Sequence, residues 1–237
     1  GLYQMWHRGI THSLFMTPIW ALFFYLICYI FFKVKDKKLF FLAWLAVFIH
    51  STSDLFNAWG TGYFEPFSSM RISFGTIPIV DFVFWAILAC AFVFSKINKQ
   101  KSPFYFKIAW IFIALHLIIQ SAQGYYIYKQ YEDRYDQIAL SANFTPWTFS
   151  VTTKKDDVVT IYDDALFKEK EAIYVLHSAE NADLNTLFEK RPEAKTLYEW
   201  APFVVIVDDD ERLGIYDPRF YRNGQSFLFE YIEKTEK

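Results

Sequence analysis

Four long apolar runs constrain the fold of this chain more than any other feature of its sequence. They cover residues 13–32, 39–59, 77–94 and 108–128. The first run has no charged side chain, and a helix needs about 20 apolar residues to cross a bilayer core. The composition agrees, because 54% of the residues are hydrophobic and 22% are aromatic, more than a soluble domain usually contains. The runs therefore predict an α-helical membrane bundle with four spans.

The positions of the lysines predict how these spans are oriented. The short loops over residues 33–38 and 95–107 are rich in lysine, and such loops lie on the cytoplasmic side of a membrane. The loop over residues 60–76 and everything after residue 128 would then lie outside. The chain is therefore expected to be a multi-pass membrane protein with an extracytoplasmic C-terminal domain.

The composition after residue 128 is that of a soluble domain. The charged stretch 129–139 is expected to continue the last helix, and a second helix is predicted over 181–200 with an interruption at Pro192. The segments expected to be strands are 158–162, 172–177, 203–207 with a hairpin return from 215, and 227–232. We therefore predict a transmembrane domain over residues 1–128 and a small α+β domain over residues 129–237.

Charge and cysteine content argue against two classes of function. The net charge of -2 gives no basic surface, so no nucleic-acid partner is expected. The two cysteines, Cys28 and Cys90, both lie within apolar runs, which excludes a disulfide framework and disfavours a cysteine-based zinc site.

His50 and Asp54 are the strongest candidates for metal ligands in the apolar runs. They are four residues apart and share one face of a helix, with Asn57 about one turn further on. An imidazole and a carboxylate in this arrangement can chelate one ion, and ionisable groups in a membrane span are costly without a function. The alternative is a hydrogen bond within the helix that lets two polar groups lie in the bilayer.

Other polar residues are expected at the same outer face. His7 and His12 flank an Arg-Gly pair just before the first run, either as ligands or as ordinary interfacial residues. Asp81 begins the third run, either as a ligand or as a helix cap. His116 lies in the fourth run, as a ligand, a proton carrier or a partner in a hydrogen bond between helices.

Two motifs resemble those of the YdjM-like membrane-bound metal-dependent hydrolases of bacteria. HRGITHS over residues 7–13 matches HRG-x-THS, and residues 50–60 match H-x-x-x-D followed by N-x-x-G. FTPW over residues 144–147 and YDPRF over residues 216–220 resemble the extracytoplasmic domain of the longer, YfhP-like members. The resemblance also implies a histidine and an Asp pair before HRGITHS. Because this sequence lacks them, it is expected to be part of a longer protein.

The resemblance implies a metal site, because the His/Asp pattern of this family is similar to that of zinc-dependent phospholipase C and single-strand-specific nucleases. The implied ligands of a divalent metal, expected to be zinc, are His7, His12, His50 and Asp54. The implied catalytic residues are Arg8, which would neutralise charge on a phosphate, and Asp54. The residues expected to support the site or to act as further ligands are Asn57, Asp81 and His116.

The expected function is that of an integral enzyme of the bacterial cytoplasmic membrane. It would hydrolyse a phosphoester, either a small molecule or a lipid, through a metal-activated water at the outer face. The alternative is a non-catalytic scaffold whose polar cluster only fixes helix packing and whose soluble domain binds a protein partner, for which the sequence gives no identity. A transporter is less favoured, because the inner halves of the runs are almost purely apolar.

Overall fold

A computed structural model describes residues 8–234 of the chain, and these residues form two compact units. The first unit combines residues 8–74 with residues 178–234, and the second contains residues 75–177. The predicted domain ranges, 1–128 and 129–237, divide the chain differently and stay a prediction.

The helices carry most of the apolar sequence. They are α1 (Thr17–Phe32), α2 (Lys38–Ser53), α3 (Phe82–Ile97), α4 (Ser102–Glu132), α5 (Asn185–Lys190) and α6 (Pro192–Trp200). The described segments that are long and apolar enough to cross a membrane are Leu14–Phe32, Lys38–Phe56 and Lys99–Glu132. The structure therefore supports a membrane protein with three candidate spans, each containing one of the helices α1, α2 and α4.

The fourth predicted span is not confirmed. Helix α3 is apolar, but its helical segment has 16 residues, or about 24 Å, against a hydrocarbon core of about 30 Å, whereas short 3₁₀ turns extend the segments that contain α1 and α2 to 19 residues each. The run that begins at residue 77 becomes helical only at Phe82, because the Asp81 side chain accepts hydrogen bonds from the backbone N–H groups of Val83 and Phe84 at 2.8 and 3.0 Å. This N-cap fixes where the helix starts.

The strands lie in the C-terminal half of the chain, as the sequence predicts. They are β1 (Gln137–Ala142), β2 (Thr148–Lys155), β3 (Val158–Ala165), β4 (Lys168–His177), β5 (Val205–Asp208), β6 (Arg212–Tyr216), β7 (Tyr221–Arg222), β8 (Gln225–Ser226) and β9 (Phe229–Glu233). All pairs are antiparallel, in sheets of order β1-β2-β3-β4, β5-β6-β9 and β7-β8. A β-sheet region in the C-terminal half and the β5–β6 hairpin are thus confirmed.

In the first unit, α1 and α2 pack on each other and are joined by a linker of only a few residues. Such a short connection makes them antiparallel, so the start of α1 and the end of α2 lie at the same end of the pair. The remainder of the unit packs α5 and α6 on the β5-β6-β9 sheet. Helix α6 presents Ala194, Leu197 and Trp200 to that core, at the three-residue spacing of one helix face.

In the second unit, the four-stranded sheet packs on the end of α4. Leu140, Phe149 and Val151 form a core with Ile127 and Tyr131 of the helix. The predicted continuation of the last helix over 129–139 is wrong beyond Glu132, because residues from Gln137 onward pair with β2 instead. The pairing of β1 with β2, which buries Ala139, Leu140 and Ser141, therefore outweighs the helical tendency of the charged stretch before it.

Candidate metal centre

Residues 8–16, which contain the described part of the HRGITHS segment, form two short turns before α1. Ile10–His12 is a 3₁₀ turn, and a second turn, Leu14–Met16, leads directly into the helix. The Arg8 carbonyl accepts hydrogen bonds from the Gly62 N–H and the Thr61 hydroxyl, both at 2.9 Å. The loop that follows α2 therefore holds this segment in place at the end of the α1–α2 pair.

His12, His50 and Asp54 come together at this end of the helix pair. Each offers a ligand atom, and these atoms all lie within 4.8 Å of one another. The His12 Nε2 atom is 3.9 Å from Asp54 Oδ2, and the two imidazole centroids are 5.3 Å apart. The Thr11 hydroxyl lies 3.0 Å from His12 Nδ1, which leaves Nε2 as the nitrogen nearer the carboxylate. Two imidazoles and one carboxylate form a donor set that zinc accepts.

The Asp54 carboxylate gives the strongest indication that a cation belongs here. Its Oδ1 accepts a hydrogen bond from Asn57 Nδ2 at 3.3 Å and lies 3.7 Å from Arg8 Nη2. Its Oδ2 is buried and has no hydrogen-bond partner among the described residues. A buried polar atom without a partner costs about 1–3 kcal/mol, and more if it is charged. A divalent ion held by this oxygen and the two imidazoles would remove that cost, so the residues fit such a group.

Asn57 organises the loop next to the cluster. Its Oδ1 accepts hydrogen bonds from Arg8 Nη1 at 2.6 Å and from the backbone N–H groups of Trp59 and Gly60 at 2.9 and 3.2 Å. Gly60 has a φ of +64°, and a Cβ atom there would lie 2.6 Å from the Ile72 carbonyl oxygen. The N-x-x-G spacing is thus a turn in which asparagine closes the loop and only glycine fits the fourth position.

The C-terminal segment of the first unit supports the same loop. Arg219 donates to the carbonyl oxygen of Ala58 and forms a buried ion pair with Asp217, whose Oδ2 lies 2.6 Å from Arg219 Nη2. The Trp59 ring packs against Phe220 and Trp200, with centroids 4.5 and 5.6 Å apart. The loop that follows Asp54 and Asn57 is therefore held by a segment that lies about 160 residues further along the sequence.

These motifs agree with a comparison of the chain with known proteins, in which residues 2–127 match the YdjM inner membrane protein family. The chain belongs to that family. It is also similar to a protein from Bacillus subtilis (strain 168) described as "Uncharacterized protein YfhP", with 29% identity over 153 residues. That match covers 62% of this chain and 47% of the relative, so the chain spans about half the length of the curated relative it matches. No solved structure matches this chain.

The family resemblance predicted from the motifs is thus confirmed, and the predicted site residues of this YdjM family member fall into three groups. The structure brings together His12, His50, Asp54, Asn57 and Arg8 in the first unit. His7 lies outside the described residues. Asp81 and His116 lie in the second unit. The roles of all these residues as ligands or catalytic groups stay predictions.

Asp81 and His116 form a pair of their own. His116 Nε2 is 3.0 Å from Asp81 Oδ2, and both side chains are buried. Because Asp81 Oδ1 also caps α3, this carboxylate has hydrogen-bond partners on both of its oxygens. Asp81 thus makes the contacts of a helix cap, and His116 makes a hydrogen bond between α4 and the start of α3. These contacts correspond to the alternatives that the sequence left open beside the ligand interpretation.

Sequence reasoning did not identify Arg71, Trp200, Asp217 and Arg219 as parts of the site region. Arg71 is half-buried, and burial, together with the nearby positive charges of Arg8 and Arg219, lowers its pKa to about 10, while Glu65 opposes this shift. Arg71 is therefore still a cation at neutral pH.

The YDPRF motif was the available signal for Asp217 and Arg219, because it stood out as a family resemblance without an assigned role.

Proposed function

We propose that this chain contains the metal-binding part of an integral-membrane hydrolase that acts on a phosphoester. The observation that carries the proposal is the buried Asp54 carboxylate, whose Oδ2 has no hydrogen-bond partner within residues 8–234 and lies beside two imidazoles. In this proposal His12, His50 and Asp54 hold a divalent ion, zinc in the first instance, and His7 is a further ligand.

A bound divalent ion would supply an acidified water and would polarise the scissile phosphoryl group. The chain's own residues prepare the site for this. Asp54 provides the negative charge that balances the ion, and Thr11 orients the His12 ring through Nδ1, as partners of metal-bound histidines commonly do. Asn57 fixes the Asp54 carboxylate and the Arg8 guanidinium relative to each other.

Arg8 is the residue that favours a phosphoester over a neutral substrate. Its guanidinium lies 3.7 Å from Asp54 Oδ1 and is bonded to Asn57, so a fixed positive charge lies beside the candidate ligands. A guanidinium is well suited to bind phosphate oxygens through paired, charge-assisted hydrogen bonds. We propose a small-molecule or lipid phosphoester as substrate, since the site lies at the end of two candidate membrane spans.

We further propose that the site lies at the outer face of the membrane. Within the first unit, the cluster and the lysine-rich linker over residues 33–38 are at opposite ends of the α1–α2 pair. Positively charged short loops favour the cytoplasmic side. If the linker is cytoplasmic, the cluster and the C-terminal segment packed on its loop are extracytoplasmic.

Metal content and hydrolysis test this function together. The protein is purified in detergent, loaded with zinc and dialysed, and bound zinc is measured by mass spectrometry for wild type and for His12→Ala, His50→Ala and Asp54→Asn. We expect the wild type to retain zinc and each variant to lose most of it. His177→Ala is the matched control, because this histidine is exposed on β4 of the second unit and should leave zinc binding unchanged.

Hydrolysis of a chromogenic phosphodiester by the same preparations tests the catalytic step. We expect turnover that depends on added zinc and is lost in the three ligand variants but not in His177→Ala. Equal zinc content in wild type and His50→Ala would refute the metal site. Zinc binding without zinc-dependent turnover of any phosphoester tested would refute the hydrolase and favour the scaffold alternative.

A further inference from the structure

The two ends of the four-stranded sheet in the second unit differ in polarity. A turn of two residues, Asp156 and Asp157, joins β2 to β3, and another, Leu166 and Phe167, joins β3 to β4. Two-residue turns in water are normally built from glycine, asparagine and aspartate, which describes the first turn but not the second. Because neighbouring strands are antiparallel, the loop over residues 143–147 between β1 and β2 lies at the same end as Leu166 and Phe167.

This end of the sheet is apolar and exposed. Its large side chains, which we call the apolar end, are Phe144, Trp147, Leu166 and Phe167. All four are exposed, and Phe167 is 94% exposed. None of them belongs to either hydrophobic core of the described residues. A cluster of this kind on a folded domain marks a surface that contacts another molecule or a membrane.

A groove of about 740 Å³ connects the apolar end to the helices of the same unit. Trp147 and Phe167 form part of one wall. The opposite wall contains Phe112, Leu115 and Ile119, which lie on one face of α4 at spacings of three and four residues and are themselves exposed. The groove is therefore apolar on both sides, and an occupant can reach both walls.

The polar side chains at the groove offer little to a polar ligand. Among the described residues, those that line it are His116, Gln123, Thr148 and Lys168. His116 and Lys168 are paired with carboxylates at 3.0 and 2.7 Å, and the Thr148 hydroxyl donates to a backbone carbonyl. The Gln123 Oε1 atom is buried, so a ligand cannot reach it. The groove therefore favours an apolar occupant.

The length of the α4 segment places the groove near a membrane boundary. The segment Lys99–Glu132 has 34 residues, or about 50 Å, against a hydrocarbon core of about 30 Å. Strands with an open edge do not lie in hydrocarbon, so the protruding end is the one that packs on the sheet through Ile127 and Tyr131. Counted from Lys101 or Lys107, a core of about 20 residues ends at about residue 121 or 127. The α4 residues of the groove then lie inside the core or at its boundary.

Trp147 is held at this level by α4. Its φ of +62° is uncommon for a bulky residue and persists only where the surroundings fix it. Its backbone N–H donates to Gln120 Oε1 of α4 at 3.3 Å. Tryptophan side chains are enriched where headgroups meet acyl chains. The hydrogen bond thus fixes Trp147 at the depth at which tryptophan is most common in membrane proteins.

We propose that the apolar end of the sheet is inserted into the bilayer beside α4, with acyl chains of the adjacent leaflet filling the groove. A protein partner is a poorer occupant, because one wall belongs to a candidate membrane span whose exposed side chains face acyl chains in a bilayer. The region from β1 to β4 is then docked on the membrane surface as well as attached to the end of α4. This inference is independent of the metal centre and of hydrolysis.

Depth measurements by electron paramagnetic resonance test this insertion. Cys28→Ala and Cys90→Ala remove the native thiols, and a nitroxide label is attached to Phe167→Cys or Phe144→Cys in the full chain. Both positions are exposed, so the label should not disturb the fold. The protein is placed in nanodiscs of phosphatidylcholine and phosphatidylglycerol, in which both membrane faces stay open to aqueous reagents. We expect both labels to collide with oxygen and to be shielded from a water-soluble nickel chelate, at a depth of about 5–10 Å.

Asp157→Cys is the matched control, because this residue is exposed and belongs to the other two-residue turn of the same sheet. Its label should collide freely with the nickel chelate. Equal nickel accessibility at positions 157 and 167 would overturn the proposal. Dipolar broadening between labels at 167 that disappears when labelled protein is diluted with unlabelled protein would assign the apolar end to a contact between two copies, and this would overturn the proposal as well.

A fluorescent label tests the contact with acyl chains directly. Bimane replaces the nitroxide at the same three positions, and the nanodiscs contain lipids that are brominated along their acyl chains. We expect these lipids to quench the label at 144 and 167 and to leave the label at 157 unchanged. Absence of quenching at 167 would show that acyl chains do not reach the groove.

Discussion

Arg219 allows a sharp test of how the C-terminal segment supports the candidate metal loop. Arg219 is 4% exposed and its partner Asp217 is fully buried. Arg219 Nε lies 3.1 Å from both carboxylate oxygens of Asp217, Nη2 lies 2.6 Å from Oδ2, and Nη1 donates to the Ala58 carbonyl. One side chain therefore joins the end of β6 to the loop that contains Asn57.

The substitution Arg219→Met removes this link and leaves the buried Asp217 carboxylate without its counter-charge. Breaking one partner of a buried ion pair costs about 3–5 kcal/mol. For a protein of this size, 1 kcal/mol corresponds to about 2–4 °C in the unfolding midpoint. We therefore expect the midpoint to fall by roughly 6–20 °C, measured by circular dichroism or intrinsic fluorescence in detergent.

Arg191→Met is the matched control within the same unit. Arg191 is also paired with a carboxylate, Glu230, at 3.0 Å, but its side chain is 46% exposed. An exposed ion pair contributes about 0–1 kcal/mol, so the midpoint should fall by no more than a few degrees. Similar shifts for Arg191→Met and Arg219→Met would refute the argument from burial.

The double variant Asp217→Asn/Arg219→Met completes the test. Because it leaves no unpaired charge behind, it should be more stable than Arg219→Met alone. Its zinc content should nevertheless stay below that of the wild type, since the contact with Ala58 is still missing and loss of groups that orient metal ligands typically reduces affinity 10–100-fold. Wild-type zinc affinity in the double variant would show that the metal loop does not depend on Arg219.

Three further predictions concern local features of the fold. Asp81→Ala should lower the unfolding midpoint more than Asp81→Asn does. Alanine removes the cap of α3, worth about 1 kcal/mol, and also the hydrogen-bond partner of the buried His116. Equal shifts for the two variants would contradict this. Gly75→Ala should be clearly more destabilising than Gly224→Ala, because both positions have positive φ but only at Gly75 would a Cβ atom meet the Leu140 carbonyl, at 1.8 Å. Hydrogen bonds from nearby backbone N–H groups lower the pKa of Asp209 from its usual 3.8, so its contribution to stability is present above that value and is lost as the pH falls through the lowered pKa. The midpoint difference between wild type and Asp209→Asn should therefore vanish at acid pH, and a difference that persists there would count against these hydrogen bonds.

The candidate ligands could be predicted from sequence because local rules bring them together. His50 and Asp54 share a helix face through their four-residue spacing, and a short linker forces α1 and α2 to run antiparallel. His12, which lies just before α1, is then necessarily near the end of α2. Apolar length likewise predicts the three segments that could cross a membrane, but it also predicts a fourth span over residues 77–94, which is not confirmed.

Local rules failed where distant parts of the chain decide the outcome. The contact of Arg219 with Ala58 joins residues 161 positions apart, and no periodicity or spacing in the sequence indicates it. The end of α4 was misplaced because the partner of β1 is β2, and strand pairing cannot be read from the charged stretch itself. The later start of α3, in contrast, follows from a local rule, because Asp81 caps the helix, which is one of the two roles that the sequence left open for it.

The first unit joins two parts of the chain that differ in their relation to the family. His12, His50 and Asp54 lie in the part of the chain that matches the YdjM family, over residues 2–127. Arg219, which donates to the Ala58 carbonyl next to Asn57, lies beyond that range. A substitution at Arg219 would therefore change the loop that supports the candidate ligands without changing a candidate ligand itself. It follows that the family motifs supply the candidate donor set, whereas the firmness with which the loop holds this set depends on a segment that the family match does not include.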